Sequence, residues 1–389
     1  MKEIEDIVQS FYEAQQAQIK TALATVVLVE GSSYRRPGAR MLVTEDGQIT
    51  GTISGGCLET DAIRKALLSI AQQQNKLVAY NSMDDEDFTE GVQLGCNGIV
   101  YILFEPINAA QQNNPIALLQ KVLQQQKESV LVTLFNHIDL SATQQGTTLL
   151  FADKTIIGNL KNENQLAAIN AIVTNVLAQH LSMIQLMTIS KSASITLFAE
   201  LIKPAVQLII CGAGNDAIPL AAMANIVGWH ITIADGRKTY ATAKRFAEAH
   251  KIIVGKPAEI VPQIAIHEQS IFILMSHNYN YDIGILRLLV KKNCGYIGIL
   301  GPKKKLEKMM EELANEGLEI SKAAIDKIYG PAGLDIGAET PQEIALSILA
   351  EIKAVLAKKK GGTLRNKQGF IHDDHANNLE NETVAILNS

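Results

Sequence analysis

The chain has 389 residues, 47% of them hydrophobic and 19% charged, enough for two or three domains whose cores need no disulfide or metal staples. With 35 Lys and Arg against 40 Asp and Glu, the net charge of −5 offers no general attraction to nucleic acid or to an anionic membrane. Four scattered cysteines exclude a disulfide framework, and reduced thiols in a cytoplasmic protein are the expectation.

The first twenty residues carry Glu3, Glu5, Asp6 and Glu13, the opposite of a basic signal-peptide start. Ala22 to Glu30 is a β-branched run that predicts a buried strand, and Met41 to Ile53 reads as a hairpin turning at Glu45-Asp46-Gly47. The loop between them, Gly31 to Arg40, holds Arg35, Arg36 and Arg40. Guanidinium forks grip phosphate or carboxylate bidentately, and Pro37 and Gly38 give the loop a defined shape. A solvated basic turn is the alternative.

Gly51 to Glu59 runs from a strand through a glycine turn into a predicted helix, Leu58 to Gln72. Ser54 can cap that helix, and Gly55 and Gly56 bare backbone N–H groups for an anion. Cys57, near the helix N-terminus, is a candidate nucleophile or soft ligand with a depressed thiol pKa, or simply a packing residue. Leu94-Gly95-Cys96-Asn97-Gly98 places a second thiol between glycines before the predicted strand Ile99 to Phe104. A structural cysteine has little use for such surroundings, which makes Cys96 the better candidate for chemistry. The spacing of Cys57 and Cys96 is no zinc pattern.

Leu118, Leu119, Val122 and Leu123 predict a surface helix within the Gln- and Asn-rich stretch Gln111 to Lys127. Ser129 to Ile138 and Thr147 to Ile157 read as strands. Asn164 to Ser190 lacks Asp, Glu, Lys and Arg, but its interior Asn and Gln residues make it a packed helix and a strand rather than a membrane span.

A boundary falls near Lys203-Pro204, dividing an α/β domain over 1–203 from a second over 204–357, with 358–389 expected as a mobile tail. The second half reads as a βαβ series: strands Val206–Cys211, Trp229–Asp235, Lys251–Val254, Ile271–Ser276 and Tyr296–Leu300, with helices from Asp216 and over Tyr240–His250. That alternation predicts a doubly wound, Rossmann-like parallel sheet. Gly212-Ala213-Gly214-Asn215-Asp216-Ala217 fits the dinucleotide turn, with Asp235 placed 23 residues after Gly212 to meet a ribose, or Arg237 a 2′-phosphate. NAD(P) is the ligand such a turn suggests. A Rossmann sheet needs the same glycines for packing alone, and Asp216 puts an anion where a phosphate would come. His277 and Asp282 follow the fourth strand, at the carboxyl edge where α/β folds bind ligands; they read as a proton-transfer pair or as a capped loop. Cys211 and Cys294 read as core.

These motifs together resemble the xanthine dehydrogenase accessory proteins, the XdhC/CoxI family. The resemblance runs from about Ile4 to Ala357 and rests on GSSYRRPGARM (31–41), GTISGGCLE (51–59), LGCNG (94–98), Cys211–Ala217, Ser276–Asp282, YIGILGPKK (296–304) and YGPAGLDIGAETPQEIA (329–345). The family's glycine run around Cys96 is richer, and this chain has Gln93 and Asn97 at two of those positions.

The resemblance implies an N-terminal α/β domain, a C-terminal Rossmann-like domain, and a carrier of the molybdenum cofactor, molybdopterin. Such a protein shields the cofactor during sulfuration by a cysteine desulfurase and delivers it to a xanthine dehydrogenase-type molybdenum hydroxylase. A homodimer is the family-level expectation, and the protein is a maturation factor rather than a xanthine dehydrogenase. On this reading Arg35, Arg36 and Arg40 with Ser54–Cys57 and Gly95 hold the anionic cofactor, and Cys96 faces the molybdenum. The rivals are an NAD(P)-dependent oxidoreductase using His277 and Asp282, and a sulfur relay carrying a persulfide on Cys96 or Cys57.

Overall fold

Runs of β-branched residues build two antiparallel sheets in the first half of the chain and one parallel sheet in the second. The computed structural model describes residues 1–56, 58–81, 98–158, 160, 162–190, 193–368 and 380–385. It divides into two units, Met1–Pro204 with Gln368–Ser389, and Ala205–Lys367.

The first unit runs α1 (Lys2–Gln16), β1 (Thr21–Gly31), β2 (Arg40–Thr44), β3 (Ile49–Gly51), α2 (Glu59–Gln72), β4 (Lys76–Asn81) and β5 (Gly98–Pro106). It continues with α3 (Pro115–Leu123), β6 (Ser129–Phe135), β7 (Gly146–Ala152), β8 (Thr155–Gly158), α4 (Glu163–Gln179), β9 (Met183–Ser190) and β10 (Ala193–Ile202). One sheet has the order β3-β2-β1-β5-β4, and the other contains β9-β10-β6-β7-β8.

β1 is buried from Thr21 through Val29 because both of its faces are covered. Ala22, Ala24, Val26 and Val29 pack with Ala62, Ala66 and Ile70 of α2. Val27 and Leu28 pack with Leu103, Phe135 and Phe198 in the layer between the two sheets. A β-bulge between Val26 and Leu28 lets the strand switch faces there.

The hairpin expected at Glu45-Asp46-Gly47 is β2–β3. Thr147 to Ile157 is two strands, β7 and β8, because Asp153 and Lys154 take positive φ and turn the chain back. The helix in the Gln-rich stretch is capped by Asn114, whose side chain accepts from the Ala117 N–H, with proline at the first helical position.

The second unit runs β11 (Gln207–Cys211), α5 (Ala217–Ile226), β12 (His230–Asp235), β13 (Lys251–Val254), α6 (Pro257–Ile260), β14 (Ser270–Leu274) and α7 (Tyr279–Leu289). It ends with β15 (Tyr296–Ile299), α8 (Lys303–Asn315), α9 (Lys322–Ile325), β16 (Ile328–Tyr329) and α10 (Pro341–Leu356). All pairs are parallel in the order β13-β12-β11-β14-β15-β16. Numbered from β11, this is 3-2-1-4-5-6, the Rossmann order, with its switch point between β11 and β14. α5 and α10 cover one face and α7 and α8 the other.

The helix expected over Tyr240–His250 does not form. The segment is a series of turns that puts Phe246 into the core while the Arg245 guanidinium bonds the Ala213 and Tyr240 carbonyls. Tertiary partners override its helical spacing. Of the expected tail, Glu380–Ala385 forms a further strand, β17, paired parallel with β9. Thr340 and Glu343 form a capping box at the start of α10, the Glu343 carboxylate accepting from the Thr340 N–H at 2.8 Å. No helix among the described residues is long and apolar enough to cross a membrane.

Candidate functional site

The loop between β1 and β2 presents the three predicted arginines in three different states. Arg40 is buried on β2, and its guanidinium is held bidentately by Glu200 of β10 while also donating to the Gly38 carbonyl at 2.8 Å. Arg35 donates to both carboxylate oxygens of Glu3, at 2.8 and 2.6 Å. Arg36 is exposed, and among the described residues it pairs with no carboxylate. It lines an open pocket of about 380 Å³ together with Tyr34, Arg35, Pro37, Gly38, Ala39 and Glu200.

The glycine turn is closed by the chain's own acid. The Glu59 carboxylate, buried at the start of α2, accepts from the N–H groups of Ser54 (3.0 Å), Gly55 (3.1 Å) and Gly56 (2.8 Å), from the Thr52 hydroxyl at 2.6 Å and from the Ser54 hydroxyl. Burial raises its pKa, but this set of donors outweighs burial and holds the carboxyl down at about 2. The amides expected to receive a bound anion therefore hold Glu59. Gly55 serves the loop in another way. At φ +88°, a Cβ there would lie 2.7 Å from the Tyr34 ring, so the turn's bare backbone gives Tyr34 a surface to rest on.

Gly95, Cys96 and Cys57 lie outside the described residues. Gly98, the first described residue after them, pairs with Gly31 across β5 and β1. A side chain at 98 would strike the Glu30 and Ser32 backbone within 2.6 Å, which explains the glycine.

At the carboxyl edge of the parallel sheet, His277 and Asp282 are not partners. Asp282 is fully buried, accepts from the Ser276 hydroxyl at 2.6 Å and pairs with Lys305 at 2.7 Å. His277 is exposed at φ +57° and sets Nε2 2.8 Å from Asp216. The proton-transfer pair expected from the sequence is thus separated into a structural ion pair and a surface contact.

The dinucleotide turn has the expected backbone, with Gly212 at φ +131° pressed against Met275 and Ser276. Its acid, Asp235, is buried and accepts from the Ala213 N–H at 2.6 Å, the Arg237 N–H at 2.7 Å and the Arg237 guanidinium at 2.9 and 2.7 Å. Although burial raises its pKa, these bonds lower the carboxyl below the ordinary value. The Asp216 carboxylate lies against Gly214: a Cβ there would come within 2.3 Å of its Oδ1. The glycines serve packing, and the acid that would meet a ribose is already engaged. Cys211 and Cys294 are buried, as expected, and burial raises both thiol pKa values. Among the described residues no cluster of His, Cys, Asp and Glu is suited to hold a metal ion.

Sequence reasoning missed Tyr34 as a pocket wall and Glu59 and Glu200 as occupants of the anion-binding groups. Glu59 had a local signal, an acid following two glycines at a helix start. Glu200 had none, because 160 residues separate it from Arg40.

Comparison with known proteins places these two units together in a single family. Residues 14–81 match the XdhC and CoxI family and residues 208–352 the XdhC Rossmann domain. A curated relative from Bacillus subtilis (strain 168), named as a probable xanthine dehydrogenase subunit, is 30% identical over 86% of this chain and 93% of its own length. The molybdenum cofactor insertion chaperone PaoD of Escherichia coli (strain K12) is 23% identical over 86% of this chain and 82% of its own. A crystal structure of a xanthine dehydrogenase from Bacillus halodurans superposes with a TM-score of 0.74 at 28% identity, covering 92% of this chain and 98% of that one.

Proposed function

The chain belongs to the XdhC and CoxI family, and on that premise we propose that it carries molybdenum cofactor to a xanthine dehydrogenase-type molybdenum hydroxylase. The observation that carries the reading is the state of Arg36. Of three arginines in the family loop, Arg35 and Arg40 are spent on internal carboxylates, while Arg36 stands at an open pocket walled by Tyr34. A guanidinium in that position fits the phosphate of molybdopterin, and an exposed aromatic ring beside it fits a planar pterin. The pocket volume lies within the range of small-ligand sites. Arg40 and the Ser54–Gly56 amides do not contact the cofactor in this reading; they hold the loop and the turn in shape.

The cofactor brings redox and sulfur chemistry for its client enzyme, and the chain's task is to bind, orient and shield it. Cys96, and secondarily Cys57, would supply a thiolate to the metal or to its sulfur ligand, at sites outside the described residues. The finer steps of the proposal are sulfuration with a cysteine desulfurase and action as a cytoplasmic homodimer. A xanthine dehydrogenase reading is disfavoured by the four cysteines, since two iron–sulfur clusters alone take about eight cysteine ligands.

The test is anaerobic binding of released molybdenum cofactor to the purified protein, read by pterin fluorescence in the protein fraction. Co-elution near one equivalent, lost in Arg36→Ala, is the expected result. No co-elution, or full retention by Arg36→Ala and Cys96→Ala alike, would overturn the carrier reading or its site.

A further inference from the structure

Two of the three loop arginines hold internal carboxylates, and the two pairs differ in kind. The Arg40–Glu200 pair is closed off, its side chains 3% and 15% exposed, and two guanidinium nitrogens meet the two carboxylate oxygens as a fork. The Arg35–Glu3 pair is half open, at 28% and 33%, and Arg35 lines the same open pocket as Arg36. A single Arg35 nitrogen, Nη2, makes both bonds to Glu3. Among the described residues its Nε and Nη1 have no acceptor. Arg35 therefore keeps donors to spare at a cavity, whereas Arg40 has none facing one.

Glu3 is placed to give Arg35 up cheaply. It lies in the first turn of α1, where the helix dipole favours an acid, and its Oε1 also accepts from the Thr52 N–H at 3.2 Å. Both contacts remain if the guanidinium turns away, and the carboxylate then meets water instead of being stranded in a core. A half-exposed ion pair contributes little to stability. A phosphate monoester, with a charge of roughly −1.5 to −2 and three acceptor oxygens, is the stronger partner for a guanidinium.

We propose that Glu3 is a built-in competitor for phosphate: it holds Arg35 until a phosphate monoester at Arg36 takes the guanidinium over, and it takes Arg35 back when the ligand leaves. The inference rests on the carrier reading and deepens it by assigning the regulation of that site. A carrier has to release its cargo as well as bind it. A carboxylate of the chain's own, one side-chain movement away, lowers the affinity for phosphate and gives the departing group a replacement.

The test is calorimetric titration of the whole protein with inorganic phosphate at low ionic strength, where screening is weakest. Glu3→Gln keeps an oxygen for the Thr52 N–H and removes only the charge, so its melting temperature should stay close to that of the unaltered protein. It should bind phosphate about tenfold more tightly, the order expected for one charge-assisted hydrogen bond. Glu3→Asp, which withdraws the charge by one methylene, should gain less in the same direction. In the double variant Glu3→Gln/Arg35→Ala the gain should vanish, because the competitor acts only through Arg35.

Phosphate affinity in Glu3→Gln equal to or below that of the unaltered protein would overturn the proposal and make Glu3 a plain support of the loop. A gain that persists without Arg35 would overturn it too, as the general effect of removing one negative charge. If released cofactor co-elutes with the unaltered protein while Glu3→Gln shows no gain for phosphate, the competitor fails and the carrier reading stands. Tighter phosphate binding in Glu3→Gln without any binding of released cofactor would support the competitor and overturn the carrier reading.

Discussion

The Glu59 carboxylate lies 2.8 Å from the Gly56 backbone nitrogen and so fills, from within the chain, the glycine turn that leads into α2. A turn of bare N–H groups at a helix start attracts an anion. Here the anion is covalently attached four residues after Gly55, which makes the turn a rigid frame for Tyr34 rather than an open receptor.

Glu59→Gln is expected to destabilise the first unit by about 3 kcal/mol at pH 7, the linkage value for a carboxyl moved from 4.5 to about 2. The sign is that of a depressed acid: the contribution is complete above pH 4.5 and disappears as pH falls toward 2. Chemical denaturation of the two proteins at pH 7 and at pH 3 checks this, and the gap should narrow at the lower pH.

Arg36→Ala and Arg40→Ala should have opposite profiles. Arg40→Ala leaves the largely buried Glu200 without its partner and removes the charge beside Glu105, a loss of about 3 kcal/mol that a thermal melt would detect. Arg36→Ala, at an exposed position, should change stability by less than about 0.5 kcal/mol while weakening cofactor binding.

Asp282→Ala should destabilise the second unit by about 3–5 kcal/mol, because it leaves Lys305 in a largely buried site without its partner. His277→Ala should be close to neutral, since its contact with Asp216 is a surface one. Equal effects of the two substitutions on melting would contradict the separation seen here.

Glu105 should give the pH dependence of stability a second component with the reverse sign. Burial, against the bonds from Thr147 and the charge of Arg40, raises its carboxyl to about 6. The folded state therefore holds a proton that the unfolded state has released between pH 4.5 and 6, and stability falls by about 2 kcal/mol as pH rises through that window. In Glu105→Gln that decline should be absent from a denaturation series between pH 4.5 and 7.

The Rossmann half was legible because its evidence is local. The apolar strands, the turn at Gly212 and the capping box at Thr340 and Glu343 each lie within a few residues, and short-range sterics and hydrogen bonds decide them. The exception, Tyr240–His250, had helical spacing but no local reason to resist Arg245 when the carbonyl of Ala213 came within reach.

Site chemistry divides along the same line. The family, the residue types and the loops that carry them follow from the order of residues alone, because glycines, arginines and thiols at short spacing are set by the covalent chain. Which of those groups are free is a matter of folding. Arg40 is taken by Glu200 across 160 residues, Asp282 by Lys305, and Glu30 is turned toward Tyr101 by a bulge whose register depends on strand pairing. Charge and hydrogen-bonding capacity are properties of a residue. Whether they are already satisfied depends on burial and on partners distant in the chain, which no local pattern encodes.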